Sequence, residues 1–262
     1  MKTKIVKSNP FGLTSKGFAF QVLHDMKTQN KSLSVLDFGC RDGDLLIEMY
    51  KHKLIDKGVG VDVDKDEVSK TKPFANENLN FFLVNKNQKL NFPDKSFDVI
   101  TIIGVVEHVY DQVSLLSELK RLVKDSGMII VAVPGQHFFS FLDMGNFKFR
   151  FKRLHKLYYK LFHTEDEYKE RYVANSSGMI GDIEAEKSWH EHFSNRSMAA
   201  LLQRVGGVAV TDVDGYGFFY RVINNIRFFT PKFLKPVMDK FLYVDSLIFK
   251  NTELCFIVKK SS

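Results

Sequence analysis

A chain of 262 residues, with 44% hydrophobic and 26% charged residues, is long enough for one large α/β domain with an insertion and has an ordinary globular composition. No apolar run approaches the roughly 18 residues needed to cross a bilayer, and the basic start of the chain lacks the apolar core of a secretory signal, so an integral membrane protein is not expected. The net charge of +7 is compatible with an anionic partner but is too generic to identify one.

The first predicted element is a short helix that begins near Ser15, which is a plausible N-cap. One side of this helix is formed by Phe18, Phe20, Val22, Leu23 and Met26. The helix either packs on the core or acts as a lid over a ligand.

The strongest local signal is a strand that ends in a glycine turn. The apolar run 34–36 reaches Asp37, and the chain then turns at Gly39 and Gly43 into the helix-forming segment 45–50. Strand, glycine turn and helix are the opening of a nucleotide-binding α/β unit, in which the first N–H groups of the helix face an anion.

A second strand, 58–62, ends in Asp62, about 20 residues after Gly39. That is the position of an acid that accepts hydrogen bonds from ribose hydroxyls. Asp64 is the better candidate for the N-cap of the next helix. A third strand, 79–84, leads into the polar segment 85–88, which lies either at an adenine edge or in a solvated loop.

Two further strands complete a repeating pattern. The apolar run 97–103 is typical of a buried parallel strand. It leads through Gly104 to a helix with a leucine stripe, which the segment 124–127 should end, and then to a strand at 128–133. Strands alternating with helices predict a doubly wound sheet.

The repeat stops at 136, where an aromatic and basic insertion begins. An insertion after a strand end lies over the ligand crevice. After it we expect a helix capped by Ser194, a sixth strand at 208–213 and a seventh at 254–258, with helices interrupted by Pro231 and Pro236 between these two strands. The predicted division is a cofactor core with an N-terminal helix at 1–135, a substrate-binding insertion or cap at 136–190, and the C-terminal part of the core at 191–262.

The motifs identify a family once they are read together. The dinucleotide fingerprint G-x-G-x-x-G fails after Gly39. What remains is D-F-G-C-R-D-G at 37–43, F-P-D-K-S-F-D-V-I at 92–100 and E-H-V at 107–109. In this order they resemble the class I S-adenosylmethionine-dependent methyltransferases, within the broad group that includes ubiquinone-biosynthesis enzymes.

The resemblance implies a Rossmann-like α/β fold: a doubly wound seven-stranded sheet with an antiparallel last strand and an insertion after the fifth strand. It implies S-adenosylmethionine as cofactor. The protein would contact the methionine and ribose parts of this cofactor, its ribose diol, its adenine and its sulfonium. Arg41 stands where the family usually has glycine, and its guanidinium is a candidate partner for a carboxylate. The implied cofactor-binding residues are Asp37, Gly39, Arg41, Gly43, Asp62, Asn87, Ile103 and Gly104.

Methyl transfer is an in-line displacement that needs alignment and a water-poor site. A hydroxyl acceptor must also lose its proton, and histidine is the usual base near neutral pH. The candidates are His108, His190 and His192. The last two could ligate a metal together with Glu107 or Glu191, but carboxylate–histidine pairs more often form hydrogen bonds, and no metal is expected.

The insertion decides the acceptor. Its sequence resembles methyltransferases encoded with bacterial surface-polysaccharide genes, which implies O-methylation of a sugar or phosphate-bearing precursor in capsule or lipopolysaccharide biosynthesis. Its interspersed aromatic and basic residues suit such an anionic acceptor, or else form a solvated basic face. The predicted substrate-binding residues are Arg150, Arg153, Tyr158 and Trp189.

Two alternatives stay open. In the first, the acceptor is a lipid or quinone at the membrane surface, and segments 138–162 and 226–249 form amphipathic helices. In the second, the protein binds the cofactor without catalysis. A nucleic-acid-binding protein is disfavoured, because no RNA-binding motif is present. With two cysteines outside any metal pattern, we expect a cytoplasmic protein, with a peripheral position at the inner face of the membrane as the alternative.

Overall fold

A computed structural model describes residues 9–27, 32–85, 89–142, 151–160, 164–166 and 191–261. Within them, seven strands form one mixed sheet in the order β3-β2-β1-β4-β5-β7-β6. The strands are β1 Ser34–Phe38, β2 Lys57–Asp62, β3 Leu79–Leu83, β4 Phe97–Ile103, β5 Val123–Pro134, β6 Val208–Tyr216 and β7 Glu253–Lys260.

The direction of the strands matches the predicted architecture. Strands β1 to β5 pair in parallel, and β7 lies antiparallel to both β5 and β6. The prediction of a doubly wound seven-stranded sheet with an antiparallel last strand is confirmed. The winding reverses between β1 and β4, and in such sheets the ligand crevice opens at the carboxyl ends of those two strands.

Helices cover both faces of the sheet. They are α1 Ser15–Lys27, α2 Asp44–Lys51, α3 Lys65–Lys70, α4 Gln112–Leu122, α5 Lys152–Lys160, α6 Asn195–Val205, α7 Tyr220–Phe229 and α8 Lys235–Ile248. Since side chains alternate across a strand, Val35 packs with α1 and α2 on one face, whereas Leu36 packs with α4 and α6 on the other. None of the helices in the described part of the chain is long and apolar enough to cross a membrane.

Helix starts follow from side-chain caps, with one correction. Ser194 and Ser197 form the capping box of α6, as the sequence predicted for Ser194. The predicted N-cap of α1 is wrong: Ser15 is the first helical residue, and the Thr14 hydroxyl accepts the Gly17 N–H at 3.1 Å. Ser15 instead donates its hydroxyl to Glu253 on β7, because α1 lies directly against the sheet.

Two other boundaries differ from the prediction. Residues 124–127, expected to end α4, belong to β5, because Val123 already pairs with Phe97 before the register shifts. Pro236 does not interrupt a helix. It lies in the first turn of α8, where the missing N–H costs no helical hydrogen bond.

The chain leaves the sheet after β5 and returns to the same point. Gly135 bridges to Phe193, and the N–H of Phe193 donates to the carbonyl of Pro134 at 2.8 Å. Of the predicted insertion, 136–190, the described parts include the 3₁₀ turn Phe138–Leu142 and α5. The three-part division at 135 and 190 stays a prediction.

Phe193 is 2% exposed and packs in the core beneath this return point. We expect Phe193→Ala to lower the free energy of unfolding by about 3–5 kcal/mol, because it leaves a cavity in a close-packed core. Urea denaturation measures this loss. The matched control is Phe233→Ala, whose side chain is 76% exposed and whose removal should change stability by less than about 0.5 kcal/mol. Equal effects of the two substitutions would contradict the packing role.

Candidate functional site

The carboxyl ends of β1, β2 and β4 bring together most of the predicted cofactor residues. Asp37 in β1 pairs in register with Gly60 of β2 and Thr101 of β4, so the loops that leave these strands are neighbours. Seven of the eight predicted residues lie on these strands or the turns that follow: Asp37, Gly39, Arg41, Gly43, Asp62, Ile103 and Gly104. Asn87 lies outside the described residues.

The turn after β1 is built for close approach. The N–H groups of Gly39 and Cys40 donate to the carbonyl of Val61 at 2.8 and 3.1 Å. Gly39 has φ +81°, and a Cβ there would lie 2.3 Å from Cγ2 of Val105 in the loop after β4. Gly43 has φ +73° and faces the ring of Phe81 in the same way. These two glycines therefore allow the crevice loops to meet.

Arg41 has φ +50°, a left-handed conformation that costs a side-chain-bearing residue roughly 1–2 kcal/mol. This conformation explains why glycine suits the position. Arg41 is exposed, so its side chain lies outside the turn, while its N–H donates to Oδ2 of Asp62 at 2.7 Å. The turn thus keeps its shape without glycine.

Asp62 joins the two cofactor loops. It is 8% exposed, and its Oδ1 accepts the N–H of Asp64 at 2.9 Å while Oδ2 accepts that of Arg41. A carboxylate oxygen can accept two hydrogen bonds, so each oxygen keeps capacity for a ribose hydroxyl. Asp64 caps α3 by accepting the N–H groups of Asp66 and Glu67, as predicted.

Asp37 lies at the centre of the crevice and is 4% exposed. Burial raises its pKa to about 6, although the 2.6 Å hydrogen bond from Thr101 and the nearby charge of Lys16 act in the opposite direction. Lys16 belongs to α1 and forms an ion pair with Asp44, the first residue of α2. The N-terminal helix therefore packs on the core and also supplies a charge to the crevice.

The loop after β4 forms the next wall. Glu107 and His108 lie in a 3₁₀ turn, are 3% and 5% exposed, and approach each other to 3.8 Å between Oε1 and Nε2. His108 is thus a buried side chain of this wall, and its predicted role as a base stays a prediction.

Residues that follow the insertion close the opposite side. Gln112 donates its amide N–H to the carbonyl of Val106 at 3.0 Å and to Oε2 of Glu191 at 2.7 Å. Next to Glu191, His192 Nε2 lies 2.9 Å from Nη1 of Arg221. Arginine only donates, so Nε2 of His192 is the acceptor and its neutral ring carries the proton on Nδ1.

His137 is a site residue that the sequence reasoning missed. It follows β5 by three positions, and its ring lies 5.6 Å from that of Phe218. Burial, followed by the charge of Arg221, lowers its pKa to about 4, so it is neutral at physiological pH. Its Nδ1 accepts the N–H of Phe139 at 3.3 Å, which leaves the proton on Nε2. The available signal was its place in P-G-Q-H, directly after a strand.

Phenylalanine rings surround His137. Phe139 lies 5.3 Å from Phe218 and 5.5 Å from Phe219, and Phe218 lies 5.5 Å from Phe249. The buried carboxylate of Asp245 accepts the N–H groups of Phe218 and Phe219, which fixes these two rings at the start of α7. We call Phe139, Phe218, Phe219 and Phe249 the phenylalanine cluster.

Several predicted acceptor-side residues remain without a structural account. Arg150, Trp189 and His190 lie outside the described residues, and of Tyr158 only the helical backbone is described. Arg153 is exposed on α5. Among the described residues, no group of three His, Cys, Asp or Glu side chains could hold a metal ion, and the metal-free site stays a prediction.

Comparisons with known proteins agree with this geometry. A family model described as "Methyltransferase domain" matches residues 15–211. An uncharacterized methyltransferase of Schizosaccharomyces pombe is 31% identical over 113 residues, 40% of this chain and 41% of the relative. A demethylmenaquinone methyltransferase of Staphylococcus aureus is 30% identical over 144 residues, 53% of this chain and 55% of the relative. The chain thus spans about half, or less, of the length of these relatives.

The fold has a clear structural relative. The 1,6-didemethyltoxoflavin-N1-methyltransferase of Burkholderia thailandensis, solved with bound 1,6-didemethyltoxoflavin and S-adenosylhomocysteine, has a TM-score of 0.55 at 12% identity. The alignment covers 95% of this chain and 79% of that one. At this identity the likeness concerns the fold alone. Because the family model covers most of the sequence, from Ser15 to Thr211, this chain belongs to the class I S-adenosylmethionine-dependent methyltransferases.

Proposed function

We propose that this chain transfers the methyl group of S-adenosylmethionine to a hydroxyl oxygen of an acceptor bound between the loops that follow β4 and β5. The observation behind the proposal is that the crevice has two sides with different residues. Asp62 and the β1 turn form its cofactor side, whereas His137, Glu191 and His192 stand on its acceptor side.

The cofactor side fits the proposed ligand. Asp62 retains acceptor capacity for the ribose hydroxyls, and Gly39 and Gly43 leave no side chain between the loops. When bound, S-adenosylmethionine supplies an activated methyl group on a positively charged sulfur. Asp37 is a deeply buried acid of the crevice, and a cationic ligand would favour its ionised form.

The acceptor side must remove a proton as the oxygen gains the methyl group. His192 is a half-buried histidine that lies between the β5 loop and α7, next to the proposed acceptor. Its Nε2 lone pair is directed at Arg221, so an acceptor hydroxyl has to take the place of Arg221 at that nitrogen. His137, with its proton on Nε2, is suited to donate a hydrogen bond to the acceptor.

The described residues favour a ring-bearing, largely apolar acceptor. The phenylalanine cluster and His137 offer aromatic faces beside the proposed base. This surface suits the quinone or lipid alternative better than a charged sugar, and the demethylmenaquinone methyltransferase relative supports that class. The sugar or phosphate-bearing acceptor remains a second candidate, because α5 presents Arg153 among other basic residues. Labelled methyl transfer onto quinols, catechols, nucleotide sugars and sugar phosphates separates the two classes.

We expect Asp62→Ala to raise the dissociation constant of S-adenosylmethionine at least about tenfold, because the ribose loses its acceptor and the β1 turn loses its partner. Calorimetric titration measures the constant. Asp64→Ala is the matched control: it removes only the cap of α3, so cofactor affinity should stay within about twofold. An unchanged constant in Asp62→Ala would remove Asp62 from the cofactor site.

The raised pKa of Asp37 predicts a pH-dependent affinity. In the protein without cofactor, Asp37 holds a proton below about pH 6, and a cationic cofactor binds better to the ionised form of Asp37. Affinity should therefore rise by up to about tenfold per pH unit as pH increases toward 6, and level off above it. Titration between pH 5 and pH 7.5, in buffers of different ionisation enthalpy, measures both affinity and proton release. Asp37→Asn should flatten the profile, and a slope that persists in this variant would assign the titration to another group.

We expect His192→Ala to lower kcat about 100-fold or more with cofactor affinity unchanged, because a positioned base contributes that much. We expect the same of His190→Ala if His190, the other candidate histidine after the insertion, is the base. Steady-state kinetics with the best acceptor from the screen measure it. His24→Ala, a half-exposed histidine on α1, serves as the control and should keep full activity. Full activity in both test variants would move the base to His108 or His137.

A further inference from the structure

The last helix of the chain exposes a continuous apolar stripe. Val237, Phe241, Val244 and Ile248 are spaced as one face of α8, and they are 45%, 55%, 48% and 63% exposed. The stripe continues into the preceding 3₁₀ turn, where Phe233 is 76% exposed. Contiguous apolar surface of this kind marks an interaction site in a folded protein.

Contacts with α7 fix the position of α8. Asp245 and Ser246 of α8 are buried, and Asp245 accepts two N–H groups from the start of α7. Arg227 of α7 donates its Nε–H to Asp239 of α8 at 2.6 Å. Both contacts hold α8 against α7 while the side chains of the apolar stripe remain exposed to solvent.

A second helix combines exposed apolar residues with basic charge. In and beside α5, Phe151, Leu154 and Leu157 are 54%, 52% and 61% exposed at a spacing of three residues. The sequence of α5, K-R-L-H-K-L-Y-Y-K, contains four basic residues and no acid. Glu165 beyond the helix pairs with Lys156 and Lys160, which leaves the segment with a net positive charge. Basic residues together with exposed leucine and phenylalanine are typical of helices that lie in a membrane interface.

We propose that the exposed faces of α5 and α8, with Phe233, are a docking surface for an anionic phospholipid bilayer. The apolar side chains enter the headgroup boundary, while Arg153 of α5 and Lys240 of α8, both exposed, meet the lipid phosphates. The positive charge of α5 favours an anionic bilayer over a second copy of the chain as the partner of this surface. A contact between copies brings like basic segments together, whereas anionic headgroups neutralise them. The inference rests on these surfaces and not on the proposed acceptor.

The test uses the full chain without cofactor or acceptor. Co-sedimentation is measured with vesicles of phosphatidylcholine alone and of phosphatidylcholine with one part in three phosphatidylglycerol. We expect binding to the second kind only. The double substitution Phe241→Ser with Val244→Ser should lower the partition constant at least about tenfold, since two apolar side chains no longer leave water. Arg153→Gln should lower it about fivefold, through the loss of one charge near the surface.

The matched control is Phe74→Ser, which removes a 44% exposed phenylalanine from the 3₁₀ turn Lys72–Phe74, outside the proposed surface, and should leave vesicle binding unchanged. Absence of binding, equal binding to both vesicles, or equal loss in Phe74→Ser would overturn the proposal. So would a dimer in analytical ultracentrifugation that Phe241→Ser dissociates, because the face would then belong to a second copy. None of these outcomes bears on methyl transfer, which is assayed with soluble acceptors.

Discussion

The carboxylate of Asp62 holds the crevice of this protein together. One oxygen accepts the N–H of Arg41 in the turn after β1, and the other accepts the N–H of Asp64 in the loop after β2. Without an acceptor there, two N–H groups at the rim of the sheet would be left for water to satisfy, and the two loops would lose their common partner. In the proposed function the same carboxylate also accepts hydrogen bonds from the ribose hydroxyls. The loop geometry and the proposed cofactor contact would then both depend on a single side chain.

This arrangement tolerates the departure at Arg41. The left-handed backbone at this position costs free energy, and the hydrogen bond to Asp62 offsets part of that cost. Gly39 is different, because a side chain there would collide with Val105. At position 41 a glycine would only avoid backbone strain, whereas at position 39 the glycine leaves space for a neighbouring side chain. An arginine can take the place of glycine only at position 41, since its side chain points to solvent there.

The proposed acceptor side is assembled from parts that are far apart along the chain. His137 follows β5, Glu191 and His192 follow the insertion, and Arg221 belongs to α7. They meet because Phe193 pairs with Gly135 and returns the chain to the end of β5. Aromatic rings around them create a low-polarity wall, which keeps His137 neutral and makes the region suitable for an apolar ring.

Sequence alone determined the strand pattern, the order of the core and most of the predicted cofactor residues that the fold brings together at the carboxyl ends of β1, β2 and β4. The sequence shows local features directly. Examples are the apolar run 97–103, the glycines at the turns and Asp62 at a strand end. Tertiary structure decided what is not local: that Thr14 and not Ser15 caps α1, that α1 gives a charge to the crevice, and that His192 meets Arg221 of α7. These outcomes depend on which elements the sheet places side by side. No spacing along the chain encodes a contact between residues as far apart as Gln112 and Glu191, which are separated by 79 positions, so only the folded packing reveals it.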